Sequence, residues 1–118
     1  MKTYFLPYPI STNRYWRTFR NRTIASKEAM EYRRKVAELV GVMPVNDPVS
    51  LSIELHPRLT KNGKASKTCL DLDNCLKVTL DALQGCLYGN DNQVKKIALQ
   101  YGEPVLNGGL TVCCEVMQ

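Results

Sequence analysis

Three aspartates and a lysine in the second half of the chain are the residue types that phosphodiester chemistry needs. Asp71-Leu72-Asp73-Asn74 is followed by Lys77 and Asp81, and Asp91 comes later in Tyr88-Gly89-Asn90-Asp91-Asn92. Aspartate oxygens are hard ligands suited to Mg²⁺, which keeps several of its waters when bound. One or two carboxylate-held metals activate water and neutralise phosphoryl charge. A nearby lysine stabilises the charge that develops in the transition state. A plainer account stands beside this one. Asp71 can be a helix N-cap, and Asp73 a first-turn charge that complements the helix dipole. Lys77 can bridge Asp73 and Asp81 at i,i+4 spacing.

The active-site account places a demand on the backbone. On a helical wheel, Leu72, Leu76, Thr79, Leu80 and Leu83 gather on one side. Asp73, Lys77 and Asp81 form a stripe on the other. Were Asp71 also helical, it would point about 160° away from Asp73. The two carboxylates converge only if Asp71 lies outside the helix in extended conformation, where residues two apart share a side. The helix is therefore expected to begin at Asp71 or Leu72 and to run to about Gln84, with Gly85 at its stop.

Basic residues lie in two other segments. Arg14, Arg17, Arg20 and Arg22 alternate with Tyr15, Trp16 and Phe19. The arginines suit phosphate contacts, while Tyr15 and Trp16 suit the core. Arg58, Lys61, Lys64 and Lys67 recur every three residues in a loop that leads into Asp71. That loop is either a cationic arm that closes on a polyanion or a solubilising surface.

The net charge is +5. It divides into +8 over residues 1–67 and −3 over residues 68–118. A basic half suggests a polyanionic partner, because neutralising phosphates releases counterions. The length of 118 residues allows one domain, spanning 1–118. The start of the chain lacks a signal-peptide pattern and no apolar run is long enough for a membrane helix, so the expectation is a cytoplasmic protein with no membrane partner. The five cysteines are odd in number and show no CxxC spacing, which argues for reduced thiols. Cys75 and Cys86 suit the core, and a redox role for Cys113-Cys114 has little behind it. His56 ends a strand without a second histidine, so a structural or surface role outweighs a substrate contact.

Elements must position these groups. Residues 3–8 suit a first strand, and 14–18 and 22–26 a hairpin around Phe19–Asn21. Ser26 caps a helix carrying Ala29, Tyr32, Val36, Leu39 and Val40 on one face, with Gly41 at its end. Val49, Leu51, Ile53 and Leu55 alternate as a half-buried strand. Residues 57–70 read as a mobile loop. Val94–Tyr101 and Leu110–Val116 form the last two strands, joined through Asn107-Gly108-Gly109. The expected fold class is α+β: a two-layer domain with a mixed sheet and two helices on one face.

Taken in order, these motifs resemble the RusA family of endodeoxyribonucleases. Pro7-Tyr8-Pro9-Ile10-Ser11-Thr12-Asn13-Arg14-Tyr15 is similar to that family's Pro-rich opening. Arg22-Thr23 and Ser26 fall where it enters its first helix. Asp71-Leu72-Asp73-Asn74 with Lys77 and Asp81-Ala82-Leu83 is similar to its central signature, and Asn90-Asp91-Asn92-Gln93-Val94 to its later aspartate segment. The resemblance implies a RusA-like fold. It assigns metal binding to Asp71, Asp73 and Asp91, and an essential charge role to Lys77. It also implies a Mg²⁺-dependent homodimer, with Mn²⁺ as a substitute metal. That dimer resolves Holliday junctions, four-way branched DNA, by paired symmetric nicks in recombination and repair, often in a phage or prophage. The longer, lysine-rich approach to Asp71 departs from the family pattern. Nuclease action on other branched DNA, or a non-catalytic nucleic-acid-binding module, are the alternatives.

Overall fold

The computed structural model describes residues 2–117. The chain order is β1 (Lys2–Leu6), α1 (Thr12–Tyr15), β2 (Trp16–Phe19), β3 (Arg22–Ala25), α2 (Lys27–Val40), β4 (Val49–His56), α3 (Leu72–Leu83), β5 (Val94–Tyr101) and β6 (Gly109–Val116). A one-turn 3₁₀ helix at Asp91–Gln93 precedes β5.

Four strands form a mixed sheet in the order β1-β6-β4-β5. β6 is antiparallel to both β1 and β4, and β4 is parallel to β5. β4 is an inner strand, and its alternation decides the layers. Val49, Leu51, Ile53 and Leu55 are buried, while Ser50, Ser52 and Glu54 on the opposite face are not. Leu110 and Val112 of β6 lie opposite Leu55 and Ile53 and bury the same face. Ala29, Tyr32 and Val36 of α2 and Cys75, Val78 and Leu83 of α3 complete that core. The result is a plate of 44 × 41 × 23 Å with the two main helices on one side of the sheet, as the α+β reading expects.

Ser26 caps α2 by accepting from the Ala29 N–H at 3.1 Å, and Gly41 closes it at φ 86°. The side of α3 that faces the core differs from the wheel. Its fully buried stripe is Cys75, Val78, Thr79, Ala82 and Leu83, whereas Leu76 and Leu80 are half-buried. Small side chains on that stripe let the helix approach its neighbours closely. Leu39 of α2, expected in the core, is 55% exposed.

Three local features also differ from expectation. Asn13, Arg14 and Tyr15 form a helical turn, so the hairpin begins only at Trp16. β1 ends at Leu6, because Pro7 and Pro9 cannot extend its ladder. Residues 57–70 are folded: Leu59 bridges Ala65, and Thr60 N–H donates to Lys64 O at 2.8 Å around Gly63. His56 is structural. Its ring nitrogens lie 2.7 Å from the Glu103 carbonyl and 2.7 Å from Thr111 Oγ1. A Cβ on Gly102 would fall 2.7 Å from its Cε1.

All five cysteines are free, with Cys75 and Cys86 buried as expected. Cys86 lies just beyond the end of α3. Cys113 and Cys114 are successive strand residues, so their side chains leave opposite faces of the sheet. No helix among the described residues is long and apolar enough to cross a membrane.

Candidate active site

The first helical residue of α3 is Leu72, and Asp71 stands before it in extended conformation (φ −66°, ψ 152°). This is the arrangement that lets Asp71 and Asp73 share a side. Asp71 makes no side-chain capping bond to the helix it precedes, so the capping account loses its main support. The Lys77 bridge fails as well. Asp81 is engaged by Arg33 and by the Tyr15 hydroxyl instead. Among the described residues, no ion pair or side-chain hydrogen bond occupies Asp71, Asp73, Lys77 or the Asp91 carboxylate. These four charged groups have no side-chain partner among the described residues and are available to a ligand.

Lys77 and Asp91 line one pocket of ≈ 370 Å³ together with Trp16, Leu80 and Asp81. Asp73 is one helical turn before Lys77, about 6 Å along the axis. The carboxylates thus follow a track from Asp71 and Asp73 at the start of α3 to Asp91 beside Lys77. Among the described residues no three acidic, His or Cys side chains converge tightly enough to cage an ion by themselves. The donor set still suits Mg²⁺, which needs few carboxylates when waters and a substrate phosphate complete its shell.

Asp91 is held by its neighbours. Asn90 is the cap of the 3₁₀ turn, and Gln93 completes a capping box. The Gln93 Oε1 accepts from the Gly89 and Asn90 N–H groups, both at 2.9 Å. Its Nε2 donates to the carbonyls of Val45 at 2.9 Å and Asp47 at 3.0 Å. Sequence reasoning missed Gln93, although the Asn90-x-x-Gln93 spacing is a capping-box signal.

Tyr15 is fully buried, as expected, but Trp16 is half-buried on the pocket wall. The two rings meet edge to face with centroids 4.8 Å apart. Burial, and then the bond to Asp81, pushes the Tyr15 phenol above its ordinary range, so it donates to Asp81 across neutral pH.

The predicted cations fall in two places. Arg17, Arg20 and Arg22 ride on the β2–β3 hairpin, whose tip uses positive φ at Arg20 and Asn21. Arg17 and Arg20 both lie over the Phe19 ring, at 6.0 and 5.3 Å from its centroid. Arg14 and Arg58, far apart in sequence, line a second pocket with Tyr8, Cys69 and Leu70, directly before Asp71. Arg14 also pairs with Glu28. Lys61 and Lys64 are exposed in the turn closed by the Leu59–Ala65 bridge, and Lys67 is exposed beyond it. A more apolar pocket near Val40, Met43 and Leu87 has only Lys2 and Glu115 as charged lining, and so lacks a carboxylate grouping.

A family model for endodeoxyribonuclease RusA matches residues 7–112. The chain belongs to the RusA family. The RusA match includes Asp71, Asp73, Lys77 and Asp91. Among similar proteins is a crossover junction endodeoxyribonuclease RusA of Escherichia coli O139:H28. It is 33% identical over 115 residues, covering 92% of this chain and 90% of the relative. Another, from Enterobacteria phage 82, is 39% identical over 89 residues, or 70% of this chain and 68% of the relative. A third, from Shigella sonnei, is 36% identical with the same coverage.

Proposed function

We propose that this chain is a metal-dependent crossover junction endodeoxyribonuclease that acts as a homodimer and nicks four-way DNA junctions in symmetric pairs. The observation that carries the reading is the set of charged groups without partners among the described residues, Asp71, Asp73, Lys77 and Asp91, of which Lys77 and Asp91 share one pocket of a RusA-family fold. Asp71, Asp73 and Asp91 would hold the divalent ion, Mg²⁺ or Mn²⁺, with waters and a substrate phosphate completing its shell. A bound ion of this kind supplies charge neutralisation and water activation for phosphodiester hydrolysis. Lys77 places its ammonium beside the charge that develops on the phosphoryl oxygens. Arg14, Arg58 and the hairpin arginines hold flanking phosphates, with Lys61, Lys64 and Lys67 adding to the cationic field. Two coordinated cuts need two active sites, and a two-fold dimer provides them in matched orientation.

A second reading, a non-catalytic DNA-binding module, draws on the absence of a closed carboxylate cage among the described residues. One assay separates the two. Wild type is expected to nick a synthetic four-way junction only with Mg²⁺ or Mn²⁺. Asp73→Asn is expected to lose nicking by at least ~100-fold while binding the junction nearly as well. Full cleavage by Asp73→Asn sinks the metal assignment, and binding without cleavage by wild type favours the module. Flap and fork substrates run at the same stated salt distinguish junctions from other branched DNA.

A further inference from the structure

Asp71 stands at the border of α3: its carbonyl accepts from the Cys75 N–H at 3.0 Å, and its other side follows the peptide that precedes it. Both polar groups of the Leu70 backbone are taken by phenol hydroxyls. The Leu70 N–H donates to Tyr8 Oη at 2.9 Å. The Leu70 carbonyl accepts from Tyr101 Oη at 2.8 Å. Tyr8 lies two residues beyond β1, and Tyr101 is the last residue of β5. These are the two edge strands of the sheet. Leu70 is therefore tied at once to segments that leave opposite edges. The Tyr8 hydroxyl also donates to Cys69 Sγ at 3.4 Å, and the Arg58 guanidinium lies 4.0 Å over its ring centroid. On the other side of Asp71, Asn74 Oδ1 accepts from the Thr12 N–H at 2.9 Å. The backbone that carries Asp71 and Asp73 is thus pinned before and after the two carboxylates.

We propose that Tyr8 and Tyr101 are positioning residues that aim Asp71 alongside Asp73 for a divalent cation, by holding the N–H and the carbonyl of Leu70. The inference rests on the proposed ligand roles of Asp71 and Asp73. Asp71 joins the helical ladder through its carbonyl alone, which accepts from the Cys75 N–H at 3.0 Å, so the Leu70 peptide orients its other side, and partners one shell out typically set metal affinity by ~10- to 100-fold. Arg58 on the Tyr8 ring brings the cationic 57–70 segment onto the same clamp.

Tyr8→Phe and Tyr101→Phe keep each ring and remove only its hydroxyl. Mn²⁺ titration of the protein alone, the Mg²⁺ dependence of junction cleavage, junction affinity and Leu70 amide exchange are measured for each. For Tyr101→Phe the expected result is ~10-fold weaker Mn²⁺ binding, a raised Mg²⁺ midpoint and a rate reduced by ~10- to 100-fold at saturating junction. Junction affinity stays within about twofold, because every cation that meets a phosphate is still in place. Tyr8→Phe additionally speeds exchange of the Leu70 amide. Unchanged Mn²⁺ affinity and Mg²⁺ midpoint overturn the proposal, as does a rate that falls only with the folded fraction in a thermal melt. A wild type that binds Mn²⁺ yet cleaves no junction removes the functional reading, while the Mn²⁺ comparison still decides this one. A wild type that binds no Mn²⁺ overturns both.

Discussion

Asp73, Lys77 and Asp81 are equally spaced on α3, yet they divide by their partners. Asp81 is committed to Arg33 and Tyr15, and its side chain is 24% exposed. Lys77 and Asp73 have no partner among the described residues. Asp81→Ala is accordingly expected to destabilise the fold by about 1–2 kcal/mol. That is the cost of leaving the Tyr15 hydroxyl short of its acceptor, with the ion-pair share discounted because Arg33 is more than a third exposed. Cleavage per folded molecule should stay within about threefold of wild type. Denaturant melts and single-turnover rates measure the two effects separately. A loss of rate without a loss of stability would move Asp81 into the chemistry.

At the scale of elements, the site is assembled from pieces that one side chain can release. Gln93 accepts two hydrogen bonds within the Asp91 turn and donates two more that tie it to the carbonyls of residues 45 and 47. Gln93→Ala is expected to cost about 1–3 kcal/mol, chiefly from backbone groups left without partners. It should also slow cleavage by ~10-fold or more through loss of Asp91 placement. Val45→Ala, on the same side of the turn, serves as a control. Should both variants lose stability equally and neither lose rate at saturating metal, the turn would be scaffold and nothing more. The periodicity of α2, β4 and β6 was legible in the chain, because each buries a single face, and that of β5 was legible although none of its residues is buried. α1 was not, since a one-turn helix has no apolar period to display. The rotation of α3 was also hidden, because Cys75, Val78 and Ala82 weigh less on a wheel than the leucines beside them.

Across the whole molecule, the β2–β3 hairpin forms a sheet of its own and carries Arg17, Phe19 and Arg22 on one face. Such a projection suits contact with DNA phosphates beyond the carboxylate track. Replacing Arg17, Arg20 and Arg22 with Gln should lower the slope of log affinity against log salt by about one for each phosphate no longer neutralised. Anisotropy titrations at several salt concentrations read that slope. An unchanged slope would take the hairpin off the DNA.

The chain by itself determined that Asp71 must precede the helix bearing Asp73 and Lys77. That conclusion needs only the 100° step of a helix and the two-residue step of an extended segment, both local rules. It also determined the α+β class, from apolar periods two and 3.6 residues long. The tertiary structure decided which charges are spoken for. Asp81 meets Arg33 across 48 residues, Asp91 reaches the Lys77 pocket by way of Gln93, and Leu70 is gripped by tyrosines 62 residues before it and 31 after it. Contacts over such separations depend on how strands and helices pack. No local spacing encodes them, and so the partners that aim Asp71 emerge only in the folded chain.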